Sequence, residues 1–307
     1  MEKLKVLINA YACSPDRGSE PGMGWNWCVH LANHCELYII SEGEYRESIE
    51  AALATLPQAG NMHFYYNPIP EKVREMCRKQ GDWRFYVHYK NWQKETLNIA
   101  RKIIAEHKID VLHQLNMIGF REPGYLWKIE GIPFVWGPVG GLKQFPLAYL
   151  KDAGLKMRFF IRLKNLINTL QIKYDVRVDK ALRRAGLLIS SIPDSYRALK
   201  KYKQLESVLI PETGCFITDN VPTGRFYNRE FNVMWVGKFD FRKQLPLALN
   251  ALAAANNKQI ILNVYGQGNE VQEREAKQLV SELGISDQVV WHGNQSHAVV
   301  QQAMREA

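Results

Sequence analysis

The chain has 307 residues, of which 46% are hydrophobic and 23% charged, and its net charge is +9. This composition is typical of a globular protein with a full core, and the length predicts two domains. No apolar run reaches the ~18 residues that span a bilayer, and five scattered cysteines without a C-x-x-C pair argue against a disulfide framework or a zinc site. The apolar run Val6–Ile8 ends at Asn9, too early for a signal peptide, so we expect a cytoplasmic protein.

Short apolar runs alternate with helical patterns in the first part of the chain. The predicted strands are Lys5–Ala10, Glu36–Ile40, Met62–Tyr66, Asp110–His113, Pro133–Trp136 and Leu187–Ser191. The clearest helices between them are Gly22–Ala32, Glu44–Leu56 and Trp92–His107. This alternation is typical of a parallel sheet with helical crossovers.

The same pattern then starts again. It gives strands at Ser207–Ile210, Asn232–Val236, Ile260–Tyr265 and Gln288–Trp291, with helices at Leu245–Ala255, Val271–Leu283 and Ser296–Ala307. We therefore predict an α/β fold with two Rossmann-like, doubly wound domains, residues 1–205 and 206–307. Such a domain usually has five or six strands, so we expect the second to be incomplete at its C-terminal end. A small but complete second domain is the alternative.

A glycine-rich turn follows the first predicted strand. It contains Gly18, Gly22 and Gly24 just before a helix. Glycines let the backbone approach a ligand, and a helix N-terminus presents free N–H groups to an anion such as a phosphate. Many strand-to-helix turns contain glycine without a ligand, so the turn alone leaves both interpretations open.

His113 ends a predicted strand. Ligands of open α/β sheets bind at the carboxyl ends of the strands, so this position predicts a place in the substrate crevice. A purely structural histidine is the alternative.

In the second domain, a basic turn joins a strand to a helix. Gly237, Lys238 and Lys243 lie in this turn, and Gly266 follows the next strand. Lysine is a compact point charge that suits the oxygens of a diphosphate. An ordinary exposed basic turn would have the same sequence.

Taken in order, these motifs resemble those of the retaining GT-B glycosyltransferases of family 4, often called group 1. The resemblance implies that Lys238 and Lys243 bind the diphosphate of a nucleoside-diphosphate sugar, although Lys238 replaces an arginine and Gln244 a glycine. It implies that the Gly18–Gly24 turn contacts the donor phosphate from the opposite side of a cleft. It also implies that His113, at the end of a D-x-x-H motif, lies near the transferred sugar, and it matches Gly266 to a later G-x-G segment.

The resemblance further implies transfer of a hexosyl group to a glycan or lipid-linked acceptor, as in polysaccharide biosynthesis. It implies no cofactor and no essential metal, because basic side chains and helix dipoles would neutralise the leaving diphosphate. The family's E-x7-E motif belongs beyond residue 307. The same spacing at Glu122 and Glu130 lies in the first domain, and we interpret it as chance. A sugar-nucleotide epimerase or hydrolase of the same fold and a non-catalytic nucleotide-sugar-binding subunit are the alternatives.

Residues 151–203 contain 14 Lys and Arg against 4 Asp and Glu, which accounts for the whole positive charge of the chain. Apolar residues recur there at helical spacing: Leu155, Phe159, Phe160, Leu163, Leu166, Ile167, Leu170 and Tyr174. Such a stripe is typical of a core-facing helix or of an interfacial helix on anionic lipid. The second interpretation predicts a peripheral protein on the inner face of the membrane. The charge of the stretch would also suit a nucleic acid, but its aromatic residues do not form an interleaved stacking platform, so we expect no nucleic-acid partner.

Overall fold

The computed structural model describes residues 3–78, 84–150, 153–214 and 231–306. The chain divides into two units, Met1–Cys215 and Phe216–Ala307. Each contains a parallel sheet whose strands are mostly connected by helices. The predicted α/β class with two Rossmann-like domains is confirmed.

The first unit is built on a seven-stranded parallel sheet. Its strands are β1 (Leu4–Ala10), β2 (Cys35–Ser41), β3 (Met62–Tyr66), β4 (Val111–Asn116), β5 (Phe134–Val139), β6 (Leu187–Ser190) and β7 (Val208–Leu209). They lie in the order β3-β2-β1-β4-β5-β6-β7. The order reverses between β1 and β4, and open α/β sheets bind ligands outside the carboxyl ends of the strands at such a point.

Helices cover both faces of this sheet. They are α1 (Ser19–Leu31), α2 (Arg46–Leu53), α3 (Glu71–Arg78), α4 (Arg84–Glu106), α5 (Leu155–Tyr174), α6 (Val176–Arg184) and α7 (Pro193–Lys203). Successive residues of β1 enter opposite cores, with Leu7 in one and Val6 and Ile8 in the other. A strand buried on both faces reads as a continuous apolar run, and for this reason the sequence located β1 well.

The last strand of the first sheet differs from our expectation. We placed residues 207–210 in the second domain, whereas β7 pairs in parallel with β6, Ile189 opposite Val208. The first unit therefore extends beyond residue 205. The sequence shows an apolar run ended by Pro211 but does not show which strand it pairs with.

The described part of the second unit contains a three-stranded parallel sheet in the order β10-β9-β8. The strands are β8 (Phe231–Val236), β9 (Ile260–Tyr265) and β10 (Val289–Gly293), and the helices are α8 (Leu245–Ala255), α9 (Glu270–Glu282) and α10 (His297–Glu306). Its core joins Leu262 and Val264 of β9 to Leu249 of α8 and Val280 of α9.

The apolar stripe predicted in the basic stretch lies on α5. Most of its large side chains are exposed, including Leu155 and Phe159. The core interpretation of the stripe is therefore wrong for these residues. Lys151 and Asp152 of the stretch lie outside the described residues. In the described part of the chain, no helix is long and apolar enough to cross a membrane.

Candidate functional site

The turn from β1 to α1 lies beside the point where the strand order reverses. A Cβ atom at Gly22 would lie 2.2 Å from the carbonyl oxygen of Arg17, and one at Gly24 would lie 2.2 Å from that of Ala12. Both glycines are thus required for the close packing of α1 against its own turn. Gly18, in contrast, is exposed and is the N-cap of α1. Of the three predicted glycines, Gly18 is the one at the helix end that can present N–H groups to an anion.

Asn116, at the carboxyl end of β4, holds this turn in place. Its Nδ2 donates to the carbonyl oxygen of Ala12 at 2.6 Å, and its Oδ1 accepts from the Ala12 N–H at 3.2 Å. A Cβ at Gly24 would lie 2.8 Å from Asn116 Nδ2. Asn116 was not among the predicted site residues, because the predicted strand ended at His113.

His113 is the third residue of β4, so its predicted position at the strand end is wrong. The strand continues through Gln114 to Asn116 because these polar side chains find buried hydrogen-bond partners. His113 is only 5% exposed, and its Nε2 lies 2.7 Å from the Gly137 carbonyl oxygen. A carbonyl only accepts hydrogen bonds, so Nε2 donates. Burial lowers the pKa of His113 to about 4, and the ring is therefore uncharged at neutral pH.

Gly137 lies within β5 and not in a loop after it. Its φ is +146°, and a Cβ there would lie 2.4 Å from the carbonyl oxygen of Ile189 on β6. Glycine is required here by the close approach of two strands. The strand predicted to end at Trp136 thus continues through Gly137 and Pro138 to Val139.

A buried polar network lies under the carboxyl ends of β1 and β4. Asn9 Nδ2 donates to Gln93 Oε1 at 2.6 Å and to Gln114 Oε1 at 2.9 Å. Gln93 Nε2 donates in turn to the hydroxyl of Tyr89 at 2.7 Å. Burial raises the pKa of Tyr89, so the hydroxyl stays protonated. Asn9 Oδ1 has no hydrogen-bond partner among the described residues, but the three bonds of the network join β1, β4 and α4 and make the floor of the candidate site rigid.

Two acidic residues that are not among the predicted site residues lie near the first turn of α1. Glu20 Oε1 accepts from the Ile118 N–H at 2.6 Å. Burial raises the pKa of Glu20, the Ile118 N–H opposes this shift, and the charge of Glu212 adds to it. Burial also raises the pKa of Glu212. Perturbed carboxyls in a crevice are candidates for proton transfer or substrate binding, but a glutamate in a first helical turn is too common to be diagnostic in sequence.

Trp27 connects this region to the end of the first unit. Its Nε1 donates to the Glu212 carbonyl oxygen at 2.9 Å. Its ring packs edge-on against the His113 ring, with centroids 6.1 Å apart. The buried histidine and the segment after β7 therefore contact the same aromatic side chain of α1.

In the second unit, the structure brings the predicted residues of the β8–α8 turn together. The Gly266 N–H donates to the Gly293 carbonyl, its φ is +141°, and a Cβ there would lie 1.7 Å from the Gly237 oxygen. A Cβ at Gly237 would lie 3.4 Å from Cγ of Lys243, so the lysine stem passes over this glycine. Lys238 and Lys243 are both exposed. Two ammonium groups thus stand at the carboxyl end of β8.

Gln244 occupies the position at which the resemblance predicts glycine. It is the N-cap of α8 and has φ +53° and ψ +42°, in the left-handed region that favours glycine. Its Nε2 donates to the Phe241 carbonyl oxygen at 2.5 Å. The departure from the motif therefore falls at a position where the left-handed backbone conformation favours the glycine that the motif has there.

Other features of the first unit lie apart from these residues. A cavity of about 470 Å³ between the segment after β5, α5 and α7 is lined by Lys143, Gln144, Arg197 and Lys201, among others, and by none of the predicted site residues. Glu122 is buried and paired with Arg177 at 2.8 Å, which gives it a structural role.

Comparison with known proteins identifies the fold. No protein-family model matches the chain, and no curated protein matches it. Among solved structures it is similar to HepE from Anabaena in complex with UDP and glucose, with a TM-score of 0.56, 14% identity and coverage of 95% of this chain and 70% of that one.

Two further structures give the same result. The lipopolysaccharide outer core galactosyltransferase WaaB, in its apo form, matches with a TM-score of 0.55, 13% identity and coverage of 98% and 72%. Sucrose-phosphate synthase from Thermosynechococcus elongatus matches with a TM-score of 0.56, 13% identity and coverage of 99% of this chain and 74% of that one. The chain therefore has the fold of the GT-B glycosyltransferases.

Proposed function

We propose that this protein is a glycosyltransferase that moves a hexosyl group from a nucleoside-diphosphate sugar to a glycan or lipid-linked acceptor, with retention at the anomeric carbon. The observation that carries this proposal is the pair of exposed lysines, Lys238 and Lys243, at the carboxyl end of β8. It is supported by the similar fold of HepE, whose structure contains UDP and glucose.

In this proposal the two lysines act on the leaving group. The bond between the anomeric carbon and a diphosphate oxygen breaks, and its electron pair leaves with the nucleoside diphosphate. The acceptor hydroxyl oxygen forms the new bond to the same carbon on the same face, and its proton passes to the departing phosphate. Ammonium groups that face this oxygen stabilise the negative charge that develops on it. We assign the neutralisation to these side chains and to the N-terminus of α8, and accordingly expect activity to withstand a metal chelator.

The first unit contributes a second anion site and a rigid floor. We propose that the N-terminus of α1 at Gly18 binds a phosphate of the donor. Because His113 is buried and donates to Gly137, we assign it a positioning role and not contact with the sugar. Glu20 is the better placed carboxyl for an acceptor hydroxyl, since it lies in the first turn of the same helix.

The activity test is release of nucleoside diphosphate from a panel of sugar nucleotides, with and without glycan and lipid-linked acceptors. Acceptor-dependent release and a product of unchanged anomeric configuration by NMR are expected. Release without acceptor would indicate a hydrolase, and a new sugar nucleotide would indicate an epimerase. Tight donor binding without turnover would indicate a non-catalytic nucleotide-sugar-binding subunit. Each of these results would contradict the proposed transfer.

Lys243→Ala tests the donor site directly. Loss of one charge-assisted contact is expected to weaken binding of a nucleoside diphosphate roughly 10- to 100-fold, as measured by calorimetry. Lys258→Ala, a change of an exposed lysine in the same unit, is the control and should leave affinity unchanged. Equal affinities of the two variants would remove Lys243 from the site.

A further inference from the structure

Helix α5 has an unusual distribution of polar and apolar side chains. The residues that it buries are Ile161, Asn165, Asn168 and Ile172, spaced at helical intervals along one side. Half of these protein-facing residues are amides. A surface helix of a globular protein normally buries its apolar side and exposes its polar side, so α5 has a partly polar inner face.

Hydrogen bonds fix this inner face against the first unit. Asn165 Nδ2 donates to the Phe145 carbonyl oxygen at 2.9 Å, and its Oδ1 accepts from the Phe145 N–H at 3.0 Å. Arg121 donates to Gln171 at 3.1 Å and also to Asn168. These specific contacts set the rotation of α5 about its axis, and its outer face follows from that rotation.

The outer face is strongly apolar. Exposed fractions reach 81% for Leu155, 69% for Phe159, 58% for Phe160 and 55% for Leu166. Leu163, Ile167, Leu170 and Tyr174 are exposed as well. At about 3.6 residues per turn, these eight residues form one continuous sector opposite the buried amides. Continuous exposed apolar patches of this kind mark interaction surfaces.

The charges on α5 have a single sign. The helix contains five basic residues, Lys156, Arg158, Arg162, Lys164 and Lys173, and no acidic residue. At the helical period, Arg162 and Lys164 fall on opposite edges of the apolar sector. Lysine and arginine at such edges can keep their stems on the apolar layer while their charged ends reach outward.

Other basic residues of the stretch 151–203 have structural partners. Arg177 pairs with Glu122, Arg183 and Lys203 pair with Asp179, and Lys200 pairs with Glu206. Structural ion pairs therefore take up part of the excess positive charge after α5, whereas the sequence of α5 adds five basic residues and no acidic one.

We infer that the outer face of α5 docks on an anionic lipid surface, with its apolar sector in the interfacial layer and its basic side chains on lipid phosphates. A second copy of the chain is the less favourable occupant, because two α5 helices face to face would bring ten like charges together. An anionic bilayer offers both an apolar layer and charge of the opposite sign. The inference does not rest on glycosyl transfer, since lipid binding is measured without a sugar donor.

The test uses co-sedimentation of the full chain with vesicles of phosphatidylcholine alone or mixed with phosphatidylglycerol. Wild type is expected to bind the anionic vesicles, and to bind them less at high salt because the charges are screened. The variant Phe159→Ser/Phe160→Ser/Leu166→Ser should bind at least about 100-fold more weakly. The control Val271→Ser/Val299→Ser/Met304→Ser changes three exposed apolar residues of the second unit and should bind like wild type.

A charge variant separates the contribution of the basic side chains of α5 to lipid binding from that of its apolar sector. Lys156→Gln/Arg162→Gln/Lys164→Gln is expected to lose roughly 100-fold in affinity for anionic vesicles. Lys258→Gln/Arg274→Gln/Lys277→Gln removes the same charge from exposed positions and should have little effect. Equal binding to neutral and anionic vesicles would overturn the proposal.

A third measurement uses unmodified protein. Vesicles are expected to slow amide hydrogen exchange in peptides that cover α5, and protection confined to other segments would overturn the proposal. Sedimentation without lipid tests whether a second copy of the chain covers the outer face of α5. A wild-type dimer that the serine variant converts to a monomer would show that the chain covers this face itself and would also overturn it.

Discussion

The two units place a glycine-bearing turn at the same position, after the first strand of each sheet, but their polar groups differ. In the β1–α1 turn, Gly24 serves packing, and the neighbouring polar side chain of Asn116 is buried and satisfied. In the β8–α8 turn, Gly237 packs closely against Gly266, which follows β9, but Lys238 and Lys243 are exposed. Glycines therefore report how closely the backbone approaches itself in both turns, and a pair of exposed lysines is what the second turn adds to the proposed diphosphate site.

The largest effect expected from this comparison is that of Gly266→Ala. The new Cβ would clash with the Gly237 carbonyl, and φ +141° strains any side chain. Together these should cost the second unit about 4 kcal/mol of unfolding free energy, measured by hydrogen exchange of β9. Gly284→Ala, with φ +65° and open space around it, should cost about 1 kcal/mol. Similar costs would show that the close approach to Gly237 is unimportant.

The corresponding change in the first turn is Gly24→Ala. It places a Cβ against the Ala12 carbonyl oxygen and should destabilise the first unit by about 3 kcal/mol, measured by exchange of β1. Gly60→Ala, where the Cβ meets nothing within 4 Å, should change little. If Gly24→Ala instead kept full stability and lost only donor affinity, the glycine would face the ligand and the comparison would fail.

His113→Gln tests whether burial of the His113 ring makes the stability of the first unit depend on pH. The folded pKa of about 4 lies below the ordinary value of about 6.5, so the unfolded chain binds the proton first as pH falls. About 3 kcal/mol of first-unit stability should be lost between pH ~6.5 and ~4. Glutamine can donate to Gly137 but does not titrate, so urea unfolding of the variant should show a smaller loss over this window. His34→Gln, at an exposed position, should retain the wild-type profile.

Gln244→Gly is expected to have the smallest effect. Glycine adopts the left-handed backbone conformation of this position without strain. Two effects oppose this gain in stability: the unfolded chain gains conformational freedom, and the hydrogen bond to the Phe241 carbonyl oxygen is lost. The net gain should be about 0.5 kcal/mol in the second unit, measured by exchange of α8. A clear loss of stability would show that the side-chain hydrogen bond outweighs the backbone strain.

Burial on both faces leaves a direct mark in the sequence of β1, whose last five residues are all buried. Met62–Tyr66 and Ile260–Tyr265 are mostly half-buried, but they were recognisable as short runs between helical patterns and coincide with β3 and β9. The end of β4 was not predictable, because Gln114 and Asn116 look like loop residues until their partners Asn9 and Ala12 are known. The assignment of β7 failed for the same reason, since pairing is a tertiary property.

The candidate site was predictable in its residue types and less so in its geometry. The sequence pointed to the turn that contains Lys238 and Lys243, which the structure leaves exposed. It also pointed to His113, which the structure buries. Glu20 and Glu212 were missed, because their raised pKa values come from burial in the folded unit and no local pattern records it.

The hydrogen bond from Trp27 to the Glu212 backbone has a mechanical consequence. It ties the last described residues of the first unit to α1, a few residues before the chain passes into the second unit. Because β7 ends only a few residues before Glu212, this bond couples the end of the sheet to α1. A displacement of the segment after β7 would therefore move the helix that begins at the candidate phosphate site.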